Sequence, residues 1–138
     1  MSFRNPGDAK IRQILEQADT IAVVGLSPKP NRPSHRVARR LQEFGYHIVP
    51  VRPVITEVLG EKAYGGLKEV PEPVDIVDVF RAPQYIDAIV DVCIERRFPV
   101  LWLQEGVVNE SAARRAQEAG ITVVMDRCTL KEHVRLLG

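Results

Sequence analysis

A chain of 138 residues, 45% apolar and 27% charged, has the size and balance of one globular domain with a substantial core. Nineteen basic against eighteen acidic side chains leave a formal net charge of +1, which excludes a global electrostatic drive toward nucleic acid or a membrane surface. No apolar run approaches the roughly 20 residues of a membrane span, the first residues lack a signal peptide's apolar stretch, and Cys93 and Cys128 form no Cys-x-x-Cys pair, so the expected setting is a reducing cytoplasm.

The spacing of Ile11, Ile14 and Leu15 predicts a helix over residues 8–18, with Asp8 as its cap. Residues 20–24 form a nearly continuous apolar run, as a buried parallel strand does. Pro33 or Ser34 opens a second helix running to about Phe44, with Val37, Leu41 and Phe44 on its apolar face and Gly45 as its stop. A second strand covers residues 47–51 and ends at Arg52-Pro53. Residues 55–64 read as a loop with one short turn, and irregular chain continues through Gly65, Gly66, Pro71 and Pro73.

Residues 75–80 form a third strand. Pro83 then fits the first turn of a helix reaching about Arg97, with Ile86, Ile89, Val90, Cys93 and Ile94 facing inward. A fourth strand spans residues 100–103. Asn109 or Glu110 opens a helix that ends at Gly120, a fifth strand spans residues 121–125, and Thr129 caps a last helix carrying Leu130, Val134 and Leu137. Strands alternating with helices demand an α/β architecture: one doubly wound sheet of five parallel strands, helices on both faces, and the helix within residues 1–19 packed against it.

Ligands of such sheets bind outside the carboxyl ends of the strands, at the point where strand order reverses. The rim there is predicted to hold Gly25, Leu26 and Ser27, then Arg52 and Pro53, then Phe80, Arg81, Ala82 and Pro83. Gln104, Glu105 and Gly106, followed by Asp126, Arg127 and Cys128, complete it. Gly25 allows a turn and a close approach to a ligand. Ser27, Pro28, Lys29 and Pro30 follow in a stiffened loop, and the next helix aims unpaired N–H groups at an anion.

The loop lacks the second and third glycines of a dinucleotide fingerprint. The second strand ends on Arg52, where an NAD site places an acid. A guanidinium there suits a ribose phosphate better than a free diol. These residues favour a phosphorylated ADP moiety, with coenzyme A ahead of NADP. Lys29, Arg32 and Arg36 are candidates for a basic collar around that phosphate.

The segments 21–34, 46–53, 73–81, 100–109 and 124–128 together cover nearly the whole chain. In them the sequence resembles the small stand-alone CoA-binding proteins, which share a Rossmann-like fold with the CoA-binding domain of the succinyl-CoA synthetase alpha subunit. The resemblance implies CoA lying across the strand ends. Gly25, Ser27, Pro28, Lys29 and Pro30 then occupy the phosphate loop. Arg52 and Pro53, then Arg81, Ala82 and Pro83, and finally Gln104, Glu105 and Gly106 match the following loops of the site. Arg52-Pro53-Val54 replaces a glycine- and lysine-containing loop of the synthetase, so Arg52 or Lys29 is expected to supply the phosphate contact. The synthetase's phosphohistidine domain has no counterpart in this sequence.

Other residues carry plainer expectations. His35, near a helix start, is expected to be a neutral capping or packing group; His47 and His133 are expected to be structural. Trp102 and Cys93 belong to the core, and Cys128 reads as an inert thiol at the rim. Glu105 is expected to stabilise its turn, and Val107 with Val108 to be exposed. One member each of Arg39-Arg40, Arg96-Arg97 and Arg114-Arg115 is expected beside Glu43, Glu95 or Glu118. The expected function is non-catalytic binding of CoA or a short acyl-CoA, as sensor, carrier or regulator. A small NADP-dependent oxidoreductase, or the CoA-binding subunit of a multi-chain acyl-CoA ligase, is the alternative. No metal, nucleic acid or membrane is expected; a protein partner or a homo-oligomer is left open.

Overall fold

The computed structural model describes residues 3–71 and 73–138; Met1, Ser2 and Glu72 lie outside them. Helix α1, Asp8–Gln17, buries Ile11, Ile14 and Leu15. Its cap is Gly7, one residue earlier than expected. Asp8 instead joins Arg135 through two bonds of 2.8 and 3.0 Å, tying α1 to the last helix. Strand β1 spans Thr20–Val24, helix α2 Pro33–Glu43 and strand β2 His47–Val51.

The stretch expected to be a plain loop contains a small antiparallel hairpin, β3 Glu57–Val58 and β4 Glu61–Lys62. Leu59 and Gly60, both at positive φ, make its two-residue turn. The Gln42 amide donates to the Leu59 carbonyl at 3.1 Å, which pins the hairpin to α2. Tyr64 then lies beside Val51: Arg52 N–H donates to the Tyr64 carbonyl at 2.8 Å, and Tyr64 N–H to the Pro50 carbonyl at 3.0 Å.

Strand β5 is Ile76–Val79, and a 3-10 turn over Pro83–Tyr85 leads into α3, Ile86–Arg96. Strand β6 is Val100–Leu103, α4 is Glu110–Glu118, β7 is Thr122–Val124 and α5 is Thr129–Leu137. Asn109 caps α4 as expected, accepting from Ala112 N–H at 3.1 Å. Cys128, not Thr129, is the residue before α5. The Thr129 hydroxyl turns inward.

All strands of the main sheet are parallel, in the order β2-β1-β5-β6-β7. Side chains alternate between its faces. Ile21, Val23, Ile48, Ile76 and Trp102 face α1, α2 and α5. Ala22, Val24, Val77, Val79, Leu101 and Leu103 face α3 and α4. Trp102 is a core residue, fully buried, and its indole N–H reaches the Arg127 carbonyl at 2.9 Å. At the β7 flank, Asn5 acts like a strand residue: its Oδ1 accepts from Met125 N–H at 2.8 Å, and its Nδ2 donates to the Met125 carbonyl at 3.0 Å.

The arginine pairs are solvated, but their partners differ from those expected. Arg40 meets Glu43 as foreseen. Arg96 instead ties down the Lys68 and Val70 carbonyls, and Arg115 bridges Asp87 and Asp91. The packing of α4 on α3, and of α3 on the chain at residues 68–70, set those partners, beyond the reach of local spacing. No helix among the described residues is long and apolar enough to cross a membrane.

Candidate functional site

From β1 the chain moves to one side to form β2, then returns on the other side of β1 to form β5. This reversal opens a crevice at the carboxyl ends of β1 and β5. Two cavities occupy it, and they share Pro33 and Phe80.

The smaller cavity, about 410 Å³, is lined by Gly25, Ser27, Pro28, Lys29, Arg32, Pro33, Ser34, Arg52 and Phe80. Three of these are cations, and no carboxylate lines it among the described residues. The first turn of α2, with Arg32 as cap and Pro33 following, adds N–H groups that lack helical partners and the positive end of the helix dipole. Such a wall attracts an anion.

Besides lining this cavity, Gly25 serves a second purpose. Its φ is +87°, and a Cβ there would stand 2.6 Å from the Phe80 carbonyl oxygen. The close approach is to the neighbouring strand's backbone, at the point where β1 and β5 end together. Ser27 is the organiser of the following loop. Its N–H donates to Ser34 Oγ at 3.0 Å, its own Oγ accepts from Lys29 N–H at 3.1 Å, and its carbonyl meets His35 Nδ1 at 2.9 Å. A carbonyl only accepts, so Nδ1 carries the imidazole proton in that bond. His35 is thus a buried clamp of the loop, in keeping with a packing role.

The larger cavity, about 720 Å³, is lined mainly by apolar groups: Val37, Phe80, Ala82, Pro83, Val107 and Leu130. Arg36, Arg81, Gln104, Glu105, Gly106, Cys128 and Lys131 complete its wall. Arg36 is steadied by the Asn31 carbonyl. Arg81 stacks over Tyr85, 4.1 Å from the ring centroid. Glu105 pairs with Lys131 at 2.9 Å, while the turn itself is held by Asp126, whose carboxylate accepts from Gly106 N–H at 2.7 Å. Val107 is buried in this wall and only Val108 is exposed, because the turn at Gly106 folds the first valine back into the core. Burial pushes the Cys128 thiol up from its ordinary value, against the pull of the Leu130 and Lys131 N–H groups.

The expected site residues therefore gather almost completely. Gly25, Ser27, Pro28, Lys29, Arg52 and Phe80 line the smaller cavity; Arg36, Phe80, Arg81, Ala82, Gln104 and Gly106 line the larger. Pro53 lies in a separate hollow of about 250 Å³, beside Arg81 and Tyr85. Pro30 lines none of these cavities.

Sequence reasoning missed a buried polar cluster beneath the larger cavity. Asp78, in the middle of β5, is fully buried. It accepts from Gln104 Nε2 at 2.6 Å and from Thr129 Oγ1 at 3.0 Å. Gln104 Nε2 also donates to Thr129 Oγ1 at 3.0 Å. Burial lifts the Asp78 carboxyl to about 7, against the lowering effect of both hydrogen bonds. The signal was in plain view: a lone acid inside the apolar run Ile76-Val77-Asp78-Val79.

Residues 19–134 match the family described as CoA binding domain. YneT, an uncharacterized protein of Bacillus subtilis (strain 168), is 45% identical over 131 residues, covering 95% of this chain and 97% of its own. A solved structure from Thermus thermophilus is 42% identical, with a TM-score of 0.91 over 95% of this chain and 99% of that one. The alpha subunit of an ADP-forming acetate–CoA ligase II from Pyrococcus furiosus is 32% identical over 77 residues, 55% of this chain and 17% of that subunit. The family match runs from the residue before β1 into α5, taking in the loops that line both cavities, and this chain belongs to the CoA-binding domain family.

Proposed function

We propose that this chain binds coenzyme A, or a short acyl-CoA, without transforming it. The observation that carries the reading is the pairing of two adjoining cavities of opposite character at the switch point of the sheet. CoA has the matching division: phosphates at one end, a long uncharged arm at the other. Lys29, Arg32 and Arg52 suit the phosphates, and the larger apolar cavity suits the arm. The groups with acid–base or nucleophilic capacity at the rim are engaged or suppressed. Glu105 is committed to Lys131, and burial keeps the Cys128 thiol protonated at neutral pH. A carrier, sensor or regulator needs no more than this site.

Calorimetric titration with CoA, dephospho-CoA, NADP and NAD under one set of conditions tests it. CoA is expected to bind, dephospho-CoA to bind about tenfold more weakly through loss of charge-assisted contacts, and NADP to bind little. Binding of NADP without CoA overturns the proposal in favour of an oxidoreductase. The likeness to the Pyrococcus furiosus ligase subunit favours a second reading, as the CoA-binding part of a multi-chain ligase. Stable co-purification with a larger ATP-dependent ligase chain is its test.

A further inference from the structure

The larger cavity is lined mainly by apolar groups, with the charged residues Arg36, Arg81, Glu105 and Lys131 also in its wall, and Gln104 is the buried polar side chain among its described lining residues. That side chain is more than nine-tenths buried. Both hydrogens of its amide are taken, one by Asp78 and one by Thr129. The Thr129 hydroxyl accepts from Gln104 and donates to Asp78, which leaves a single consistent direction for the cluster when Asp78 is ionised. A carboxylate only accepts, so the amide cannot turn over without setting two acceptors against each other. Gln104 Oε1 has no partner among the described residues, yet it is not sealed off in the core. It is the amide atom left to the cavity that Gln104 lines.

We propose that the Asp78–Thr129 pair fixes Gln104 so that its Oε1 is a pre-oriented acceptor for an amide N–H on the uncharged arm of the ligand. This rests on the CoA reading above and deepens it. Gln104 is then a specificity residue, and Asp78 and Thr129 are positioning residues. The arm of CoA carries two amide N–H groups. Against a mainly apolar wall, an amide that enters needs a partner, and an arm without an N–H at that point leaves Oε1 desolvated and unpaired. The site thereby selects an amide-bearing chain over an equally long hydrocarbon or ester chain. The adenine amine is the competing donor.

The test is calorimetry at a pH of about 8, above the value to which burial lifts Asp78. Wild type and Gln104→Met are each titrated with CoA, with two CoA analogues in which one or the other arm amide is replaced by an ester, and with adenosine 3′,5′-bisphosphate. Wild type is expected to bind one ester analogue about tenfold more weakly than CoA. Gln104→Met is expected to bind CoA about tenfold more weakly and to lose that discrimination. Adenosine 3′,5′-bisphosphate is expected to bind both proteins alike. Equal binding of CoA and both esters by wild type overturns the inference, and needs no variant to fold. An ester penalty that persists in Gln104→Met overturns it too. Weakened binding of adenosine 3′,5′-bisphosphate to the variant assigns the acceptor to adenine and also overturns it. Failure of wild type to bind CoA at all is a different result, and sinks the proposed function itself.

Discussion

The two edges of the main sheet solve the same problem in opposite ways. At the amino edge, backbone N–H groups where β1 begins would lie open. Asp75, just ahead of β5, closes them: its carboxylate accepts from Asp19 N–H and Thr20 N–H, both at 2.9 Å. A hollow of about 220 Å³ lies there, but its carboxylate is already spoken for. At the carboxyl edge the first turn of α2 and the cations Lys29, Arg32 and Arg52 face a cavity with no acid among its described lining residues. One edge carries its own anion and the other is arranged for an anion from outside. The same backbone chemistry thus gives structure at one end and the candidate binding site at the other.

Gly25→Ala strikes the open edge hardest. The new Cβ meets the Phe80 carbonyl, and the positive φ disfavours any side chain. We expect a loss of about 4 kcal/mol in chemical denaturation, together with loss of CoA binding. A variant with wild-type stability would show that β1 and β5 can part at that crossing without cost.

Asp78, between the edges, has a smaller effect that depends on pH. Its folded-state value of about 7 lies above its ordinary 3.8. Between those values the folded chain keeps a proton that the unfolded chain has released. Stability contributed by this residue therefore falls as pH rises through that window and is lowest above it. Relative to wild type, Asp78→Asn is expected to gain on the order of 3 kcal/mol as pH rises from about 4 to about 8. Urea denaturation across that range reads it, and a constant difference between the two proteins would place the cost elsewhere.

Asp75→Ala strikes the closed edge. Two backbone N–H groups lose their acceptor, for about 2 kcal/mol. CoA affinity is expected to stay unchanged in the same calorimetric assay. A parallel fall in affinity would mean that the two edges are coupled, and would end the contrast between them.

What was legible in the sequence follows from how locally each feature is written. The five strands and five helices announce themselves through apolar spacing, and Gly45, Pro83 and Asn109 mark helix boundaries. The rim residues follow from strand ends alone. The β3–β4 hairpin was not legible because its strands have two residues each, too few to show alternation. Val107 was misjudged because the turn at Gly106 reverses its direction. The role of Gly25 depends on Phe80, 55 residues away, and the role of Gln104 depends on Asp78 and Thr129, on two other elements. Such partners belong to topology and leave no local mark. His35 and Trp102 were placed correctly in kind, but their hydrogen-bond partners emerge only from the assembled sheet.

A parallel sheet ends in two strands with unmet backbone groups, and those are invitations to further strands. Here each invitation is answered in part from within. Tyr64 bonds Pro50 and Arg52 at the outer end of β2, and the Asn5 amide imitates a peptide beside Met125, just past β7. Each flank thus uses part of its pairing capacity within the chain, which lowers the tendency of the sheet to grow sideways into another copy.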